Sequence, residues 1–438
     1  MFFSAIIHLL LSSVLTRDIG AKPLASPRVG RVISLDRSSR KTHLRPMPHP
    51  SSTLPLFYPD PFITRECRGL RRKYLNVSDN LALPSGFEIV STDSEAPFIP
   101  PVVIAPHVFP LKDYYSENTD LEYYGIASFG TPKQGPFSID IDTGSADLWI
   151  PNNCTECKDG QFKDTKSSTC KRTDKSFSVC YGSGEVSGIL MQDVVSMAGL
   201  KVYDQFFGAV YEISDDFLGL PTDGLMGMAF SSVAQSGERT FFENLLYNNM
   251  LPARIFSVYL ARNQEDGSEL CFGCFDTTKA LGAVRWVKLL SKTYWSVPMN
   301  RISVNDTALI DVELIAIIDT GTTLVYFPDD VASDFYSTIP GSKPAPQYGS
   351  EFYTYPCSAP LDIQFWFGGQ SFDMSNLDFN LGMTALNSPD CVGGILSLDS
   401  DGFPPNLAII GDEFLKSHYT TFDYDGRVGF APSINNKN

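Results

Sequence analysis

Two segments of the chain repeat a single pattern, and this repeat constrains the fold more than any other feature of the sequence. In each, an apolar run leads directly into Asp-Thr-Gly and a hydroxyl residue: Phe137-Ser-Ile-Asp-Ile-Asp-Thr-Gly-Ser and, 177 positions later, Leu314-Ile-Ala-Ile-Ile-Asp-Thr-Gly-Thr. A weaker echo follows each copy, Thr222-Asp-Gly-Leu-Met-Gly-Met in the first case and Leu407-Ala-Ile-Ile-Gly-Asp in the second. We therefore expect two similar lobes, each carrying one copy.

The chain from Tyr123 onward is typical of an all-β protein. Short apolar runs are separated by Gly, Asn and Asp, a pattern that predicts many short strands. Only Phe241 to Asn248 and Val331 to Thr338 are predicted to be helices. The clearest strand candidates are Phe137 to Ile141, Leu148 to Pro151, Phe206 to Val210, Ile255 to Leu260, Ile315 to Ile318 and Leu407 to Ile410.

Residues 1–115 differ from this body. The apolar run at the start predicts a signal peptide over residues 1–21. Residues 22–115 are rich in Pro, Ser and Arg, and the six prolines from Pro46 to Pro61 are expected to exclude helix and strand alike. Up to residue 115 there are 14 Lys and Arg against 9 Asp and Glu, whereas the remainder has 20 against 41. This asymmetry predicts a removable basic pro-segment over residues 22–115, held on an acidic cleft by opposite charge.

The two lobes are expected at residues 116–285 and 286–438.

The charge balance also bears on which partners the protein could bind. A nucleic-acid-binding patch is the alternative for the basic cluster, but it is disfavoured because the acidic body would repel nucleic acid. No later run approaches about 18 uninterrupted apolar residues, so we expect no membrane anchor. A monomer is expected. The basic cluster comprises Arg65, Arg68, Arg71, Arg72 and Lys73.

Nine cysteines fit an oxidising compartment. Cys67 would leave with the pro-segment, so an even number remains. The C-x-x-C pairs also fit zinc ligation, but the secretory setting and only five histidines favour disulfides, and spacing alone does not fix the pairing. The remaining cysteines are Cys154, Cys157, Cys170, Cys180, Cys271, Cys274, Cys357 and Cys391.

The duplicated aspartates, Asp142 and Asp319, are the candidate catalytic residues. Two carboxylates about 3 Å apart cannot both ionise, so the pair shares one proton. The ionised member can take a proton from a water that attacks an amide carbonyl, while the protonated member hydrogen-bonds the carbonyl oxygen. This chemistry needs no metal and no cofactor, and none is expected.

The residues that follow each aspartate support it. Gly144 and Gly321 let backbone amides approach the carboxylates, because a glycine has no Cβ. Ser145 and Thr322 can donate further hydrogen bonds to the ionised form.

Four segments in combination resemble the pepsin family of aspartic proteases. The likeness runs from about Tyr123 to Pro432, and details around the cysteines are similar to invertebrate members, nematodes included. The resemblance implies a bilobal, pepsin-like acid protease fold with a β-hairpin flap. The segments are Ile141-Asp-Thr-Gly-Ser-Ala-Asp-Leu-Trp-Ile-Pro, Tyr181-Gly-Ser-Gly-Glu-Val-Ser-Gly, Asp223-Gly-Leu-Met-Gly-Met-Ala and Ile318-Asp-Thr-Gly-Thr-Thr.

The function implied by this resemblance is that of an aspartic endopeptidase made as a zymogen. It would cleave proteins and peptides at acid pH, between large hydrophobic residues, either outside the cell or in a lysosome-like compartment. Pepsin is itself the type example of the shared-proton pair. The alternative is a catalytically inactive relative that retains the cleft as a peptide-binding module.

The family also implies roles for individual residues. Thr143 and Thr320 would cross-brace the two loops, and Cys357 would pair with Cys391. A Lys or Arg near positions 65 to 73 would block the dyad. The flap would contain Tyr181, Gly182, Ser183 and Gly184, with Trp149 within hydrogen-bond reach of the Tyr181 hydroxyl, and Phe217 and Leu225 would either line an apolar substrate pocket or be ordinary core residues.

Three Asn-x-Ser/Thr sequons are candidates for glycosylation in a secreted chain. Asn76 and Asn305 are the expected acceptors. Asn153 is disfavoured because Cys154 occupies the middle position.

Overall fold

The computed structural model describes seven stretches of the chain, all within the unit Pro46–Asn438. The signal peptide, Asn76, Gly182 and Ser183 lie outside the described residues. So do the side chains of Arg68, Arg71 and Ala308. The described residues are 54–74, 107–116, 119–157, 160–181, 184–305, 308–398 and 403–437.

The described residues form 24 strands, which confirms the all-β prediction. Each of the six strand candidates named above lies within or coincides closely with an observed strand. The strands are β1 Val108–Ser116, β2 Thr119–Phe129, β3 Gln134–Asp142, β4 Leu148–Pro151, β5 Lys171–Cys180, β6 Glu185–Met197, β7 Leu200–Ile213, β8 Gly224–Gly227, β9 Ile255–Tyr259, β10 Asp266–Phe272, β11 Arg285–Lys288, β12 Ser296–Val304, β13 Ala308–Ile318, β14 Val325–Pro328, β15 Lys343–Pro344, β16 Tyr353–Pro356, β17 Ile363–Phe367, β18 Gln370–Met374, β19 Asn380–Met383, β20 Asp390–Gly393, β21 Ile395–Leu398, β22 Leu407–Ile410, β23 His418–Asp423 and β24 Arg427–Pro432.

Helices are few and mostly short. Both predicted helices are present, and α2 begins with a capping box in which Thr240 and Glu243 satisfy each other's backbone amides. The helices are α1 Pro61–Tyr74, α2 Phe241–Tyr247, α3 Asp329–Ser337, α4 Asn376–Phe379 and α5 Asp412–Leu415, with 3₁₀ turns at Asp164–Lys166, Ser231–Val233 and Ile434–Asn436.

Helix α1 was not expected, and the prediction that proline excludes helix from this segment is wrong. Pro61 occupies the first helical position, where the missing N–H would have had no partner in any case. Asp60 caps this end by accepting from the Phe62 amide at 2.8 Å. The helix buries Ile63, Cys67, Leu70 and Tyr74, spaced four, three and four residues apart on one face.

The two halves share a strand arrangement. In the first, β8 lies between β3 and β4, parallel to β3 and antiparallel to β4. In the second, β22 lies between β13 and β14 with the same two directions. The Asp-Thr-Gly loop connects the outer strands of each trio. The sequence repeat therefore corresponds to a repeat in the structure, as expected of the bilobal pepsin-like fold.

Three sheets contain these strands. A sheet of 13 strands runs in the order β11-β24-β23-β9-β10-β1-β2-β3-β8-β4-β7-β6-β5 and so joins strands from both halves. A second has the order β18-β17-β12-β13-β22-β14-β21, and a third β15-β16-β20-β19. The largest apolar core extends across both halves and includes Phe129, Phe207, Trp295, Phe365 and Phe430.

Strand β1 revises the expected domain boundary. It pairs with β10 on one edge and β2 on the other. The boundary predicted at residue 115 falls inside this strand, where a break would separate hydrogen-bonded neighbours. In the described part of the chain, no helix is long and apolar enough to cross a membrane.

Candidate active site

The two Asp-Thr-Gly loops meet across the interface between the halves. Asp142 is 1% exposed and Asp319 is completely buried. Each carboxylate accepts a hydrogen bond from the amide of the glycine two residues later, at 2.8 Å from Gly144 and 2.9 Å from Gly321. The loops thus present their carboxyl groups in matching ways.

Reciprocal hydrogen bonds hold the loops together. The Thr143 amide donates to Thr320 Oγ1 at 3.1 Å, and the Thr320 amide donates to Thr143 Oγ1 at 3.0 Å. Each hydroxyl in turn donates to a backbone carbonyl of the other half, at Ile318 and Ile141. This buried network fixes the separation of the two aspartates.

The glycines are required by the close approach of the halves. A Cβ on Gly144 would lie 2.3 Å from Asp319 Oδ2, and a Cβ on Gly321 would lie 2.3 Å from Asp142 Oδ1. Both distances are far shorter than a van der Waals contact. Each glycine therefore makes room for the aspartate of the opposite loop.

Helix α1 lies in the cleft with its last turn on the dyad. Lys73 Nζ is 3.1 Å from Asp142 Oδ1 and 3.0 Å from Asp319 Oδ2. Its side chain is 7% exposed, so the ion pairs are largely shielded from solvent. The Tyr74 hydroxyl donates to Asp319 Oδ2 at 2.7 Å. A single ammonium group thus bridges both carboxylates.

The two aspartates differ in acidity. Burial raises the pKa of Asp142 to about 6, assisted by the negative charge of Asp319 and opposed by Lys73. Burial acts on Asp319 in the same direction, but Lys73 and the hydrogen bonds from Tyr74 and Thr322 outweigh it and lower its pKa to about 2. Lys73 lowers the pKa of both carboxyl groups, so its ammonium favours the ionised form of the pair in this state.

The flanking hydroxyl groups behave differently from each other. Thr322 Oγ1 donates to Asp319 Oδ2 at 2.7 Å. Ser145 Oγ has no partner of full hydrogen-bond geometry within the described part of the chain, but its hydroxyl is close enough to Asp142 to oppose the rise that burial causes in the pKa of that carboxyl. The Asp142 oxygens also accept from Gly144 N and Lys73 Nζ.

The hairpin of β5 and β6 carries Tyr181 over the cleft. Its tip closes with a hydrogen bond from the Tyr181 amide to the Gly184 carbonyl at 2.6 Å. Tyr181 and Trp149 are neighbours with ring centroids 6.5 Å apart. Burial raises the pKa of Tyr181, and the neighbouring Trp149 side chain opposes this rise. Neither the Tyr181 hydroxyl nor Trp149 Nε1 has a partner of full hydrogen-bond geometry among the described residues. Phe217 packs edge-on against both rings.

Phe217 and Leu225 line a cavity next to the dyad. Asp142, Tyr181 and Gly321 also contribute to its wall. Helix α1 covers this cavity, so the predicted substrate-pocket residues lie beneath it.

The structure forms three disulfides, Cys154–Cys157, Cys271–Cys274 and Cys357–Cys391. Cys170 and Cys180 are not bonded, although a fully paired set had been expected. They flank opposite ends of β5, and an extended strand of that length separates its ends by roughly 30 Å. A disulfide requires Cα atoms within about 7 Å.

Two parts of the site were not identified individually from the sequence. Lys73 was one of several basic candidates, and the spacing of the buried face of α1 would have singled out the end of that helix. Asp140 was overlooked, although a charged residue two positions before Asp142 in an otherwise apolar strand is a visible signal. Among the described residues no cluster of His, Cys, Asp and Glu is arranged to hold a metal ion.

Comparison with known proteins identifies the family. The profile described as Eukaryotic aspartyl protease matches residues 122–433. An aspartic protease of Phaffia rhodozyma is 37% identical over 306 residues, covering 68% of this chain and 74% of the relative. Major aspartyl peptidase 1 of Cryptococcus neoformans is 35% identical, covering 72% and 69%. Pepsin A of Suncus murinus is 32% identical, covering 74% and 83%. An invertebrate source stays a prediction. The chain belongs to the eukaryotic aspartyl protease family and is an aspartic endopeptidase.

Proposed function

We propose that this chain is the inactive precursor of an endopeptidase in which Asp142 and Asp319 activate a water for attack on a peptide bond. The observation that carries the proposal is the single ammonium group of Lys73 within hydrogen-bond distance of both carboxylates. A site that holds one cation between two buried carboxyl groups can also hold one proton between them once the cation leaves.

In the precursor, α1 acts as the inhibitor. It occupies the space that a substrate needs, and Lys73 neutralises the dyad. Further contacts attach it mainly to the second half, where Glu66 accepts from the Thr323 amide at 2.8 Å and from the Tyr326 hydroxyl at 2.5 Å. Removal of this helix frees the cleft.

We place the activating cleavage between α1 and β1, within residues 75–107. Strand β1 is hydrogen-bonded along both edges, so it belongs to the mature fold. The signal peptide at residues 1–21 and the two lobes remain part of the proposal. Secretion, or delivery to an acidic compartment, would supply the low pH that the shared proton favours.

After release of α1, the pair is expected to work with one carboxyl ionised and one protonated. The ionised oxygen removes a proton from the water, and the protonated group donates to the amide carbonyl oxygen. Large apolar side chains next to the scissile bond would contact Phe217 and Leu225, which line the adjoining cavity.

Acid incubation of the purified full-length chain tests the proposal. After incubation at about pH 2 to 4, where Asp319 becomes protonated, we expect a new N-terminus within residues 75–107, and at about pH 4 the processed chain should hydrolyse a denatured protein substrate. Asp142→Asn and Asp319→Asn should each abolish both results, and a peptide mimic bearing a hydroxyl in place of the scissile carbonyl should inhibit hydrolysis. Glu269→Gln, at a buried carboxyl outside the cleft cavity, is the matched control. Hydrolysis that survives Asp142→Asn would contradict the assignment, and no hydrolysis by the unaltered chain would favour the peptide-binding alternative.

A further inference from the structure

The cavity beside the dyad contains two carboxyl groups that the reaction does not use. Asp140 and Glu122 line it together with Asp142. Helix α1 contributes Leu70 and Lys73 to the wall that faces the cleft. When α1 leaves, the cavity opens to whatever occupies the cleft.

Strand geometry aims both carboxyl groups into this space. Asp140 lies two residues before Asp142 on β3, and alternate residues of a strand share a face. The β2–β3 register pairs Tyr124 with Asp140, which places Glu122, two residues from Tyr124, on that face as well. Adjacent strands therefore present three carboxyl groups to one side of the cleft.

These groups are buried and incompletely paired. Asp140 is 8% exposed and Glu122 is 7% exposed. Glu122 Oε1 accepts from the Thr222 hydroxyl at 2.9 Å. Within the described residues, however, Asp140 Oδ1 and Glu122 Oε2 have no hydrogen-bond partner. A buried oxygen without a donor is unfavourable, so both oxygens indicate a missing donor from a ligand.

A cation suits this donor, because a positive charge beside the buried carboxyl groups opposes the rise in their pKa and lets them ionise. Burial raises the pKa of Asp140, the neighbouring Glu122 and Asp142 raise it further, and the ammonium of Lys73 opposes the rise. Burial likewise raises the pKa of Glu122 to about 7. In the closed precursor Lys73 supplies a positive charge to this cluster. Its departure leaves the carboxyl groups facing one another with no cation among the lining residues of the body.

The remaining wall is apolar. Leu121, Phe217, Leu220 and Leu225 surround the carboxyl groups. Lysine and arginine side chains combine an aliphatic stem with a charged end, and they bury the stem against such surfaces. An apolar side chain of the same length would contact the walls but would leave the two carboxyl oxygens unpaired.

We propose that, in the activated enzyme, this cavity binds the lysine or arginine side chain of the substrate residue next to the scissile bond, with Asp140 and Glu122 pairing with its charge. The inference rests on the proposed function. It narrows the preference for large apolar side chains proposed above. The apolar walls of the cavity contact the aliphatic stem of the lysine or arginine, and Asp140 and Glu122 select its charged end.

Matched peptides test this selection on the full-length chain after acid activation. A single residue, lysine or its uncharged counterpart norleucine, is moved through the three positions on each side of the cleaved bond. Arginine and its neutral counterpart citrulline form a second pair. At one position adjoining the bond, kcat/KM for the charged residue should exceed that for its neutral counterpart by about tenfold or more.

Variants at the two carboxyl groups identify the source of the preference. Asp140→Asn combined with Glu122→Gln keeps the shapes and removes the charges, and should lower the lysine-to-norleucine ratio of kcat/KM by about tenfold. Glu269→Gln should leave the ratio unchanged. It removes a buried carboxyl whose pKa is also raised to about 7 but which does not line the cavity.

Three outcomes would overturn the inference. They are equal cleavage of lysine and norleucine peptides by the unaltered enzyme, equal cleavage of arginine and citrulline peptides, and a ratio that survives the double variant. In each of these cases the peptides are still hydrolysed and the proposed function stands. If no peptide is hydrolysed, the proposed function fails and this inference with it.

Discussion

Asp142 at the end of β3 and Asp319 at the end of β13 occupy matching positions in the two halves, yet their carboxyl groups have different partners. Both receive a glycine amide and the Lys73 ammonium. Asp319 also accepts hydroxyl hydrogen bonds from Tyr74 and Thr322, whereas Asp142 has the weaker interaction with the Ser145 hydroxyl. A duplicated backbone therefore gives the two acids equal positions, whereas the side chains around them make their acidities unequal.

The attachment of α1 is unequal in the same way. Its contacts with the second half include Glu66 to Thr323 and Tyr326, and Tyr74 to Asp319. Among the described side chains of α1, the ion pair with the first half besides that of Lys73 joins Arg65 and Asp216, at 3.6 Å on an exposed surface. An exposed pair contributes little. If α1 is the inhibitor that we propose, we therefore expect the second half to hold the helix and Asp319 to control its release.

The pH at which α1 leaves follows from these acidities. A carboxyl with a lowered pKa stabilises the closed state above its ordinary value of about 4, and this contribution is lost as the pH falls through the lowered value. For Asp319 that value is about 2, so its contribution disappears between about pH 4 and 2. Asp142 and Glu66 have raised pKa values, about 6 and 7, and favour the closed state at low pH. Asp319 is therefore the group that we expect to drive acid release of α1.

Replacing Lys73, whose ammonium pairs with both aspartates, should have the largest effect on the inhibition of the precursor. Lys73→Gln leaves two buried carboxyl groups without their charge partner, a change that costs about 3–5 kcal/mol. The unprocessed chain should therefore hydrolyse a small peptide at about pH 6, where the original precursor does not. Peptide hydrolysis combined with N-terminal sequencing measures this. Arg72→Gln, at an exposed residue of the same turn, should leave the precursor silent, and equal silence of Lys73→Gln would contradict the role of Lys73.

Replacing either loop glycine by alanine should reduce the turnover of the activated enzyme to a similar extent. Gly144→Ala and Gly321→Ala each place a Cβ 2.3 Å from the opposite carboxylate, so the loops must separate. A displacement near 1 Å at a catalytic group reduces turnover by about 100-fold. The kcat of the activated enzyme measures the loss. Gly282→Ala, where a Cβ would make only an ordinary contact with Pro432 Cδ at 3.8 Å, serves as the control. Full activity in either loop variant would show that the dyad tolerates separation.

Removing the Tyr74 hydroxyl should reduce the difference in acidity between Asp319 and Asp142. Tyr74→Phe deletes a bond to Asp319 alone, and a hydrogen bond to a charged group contributes about 1.5–3 kcal/mol. The pKa of Asp319 then rises, so α1 should leave at a pH about one unit higher. The rate at which activity appears after a pH jump, measured across pH, gives the midpoint. Tyr58→Phe, at an exposed tyrosine preceding α1, should not move the midpoint, and an unmoved midpoint in Tyr74→Phe would exclude the hydroxyl from control of release.

The smallest expected effect is the difference in release midpoint between variants of Thr322 and of Ser145, the hydroxyl residues that follow the two Asp-Thr-Gly motifs. Thr322→Val removes the bond to Asp319 while preserving the side-chain shape, and should raise the release midpoint by less than about one pH unit. Ser145→Ala acts on Asp142 and leaves the bonds to Asp319 intact, so it should leave the midpoint nearly where it was. The same pH-jump assay compares them. An equal shift in both variants would show that the halves are not distinguished by these hydroxyl groups.

The sequence by itself determined the repeated elements. Each apolar run before Asp-Thr-Gly became a buried strand, because a run of that length between turn residues has few other stable forms. The pairing of Asp142 with Asp319 also followed, since a duplicated strand and loop places equivalent residues at equivalent points. The pattern of short strands likewise indicated an all-β body.

Only the tertiary structure decided which side chains complete the site. In the sequence, Lys73 is one basic residue among several, and only the position of α1 places it between the two carboxylates. The helix itself was not predicted because the segment is rich in proline, yet Pro61 is compatible with a helix at the first helical position. The Ser145 and Thr322 hydroxyls are alike in sequence, but only Thr322 has full hydrogen-bond geometry with its aspartate. Asp140 lies in a largely apolar strand, and its proposed role in binding depends on Glu122, which the register of β2 and β3 brings beside it. Local pattern fixes a backbone, whereas hydrogen bonds and charge interactions between distant segments depend on distances that folding alone sets.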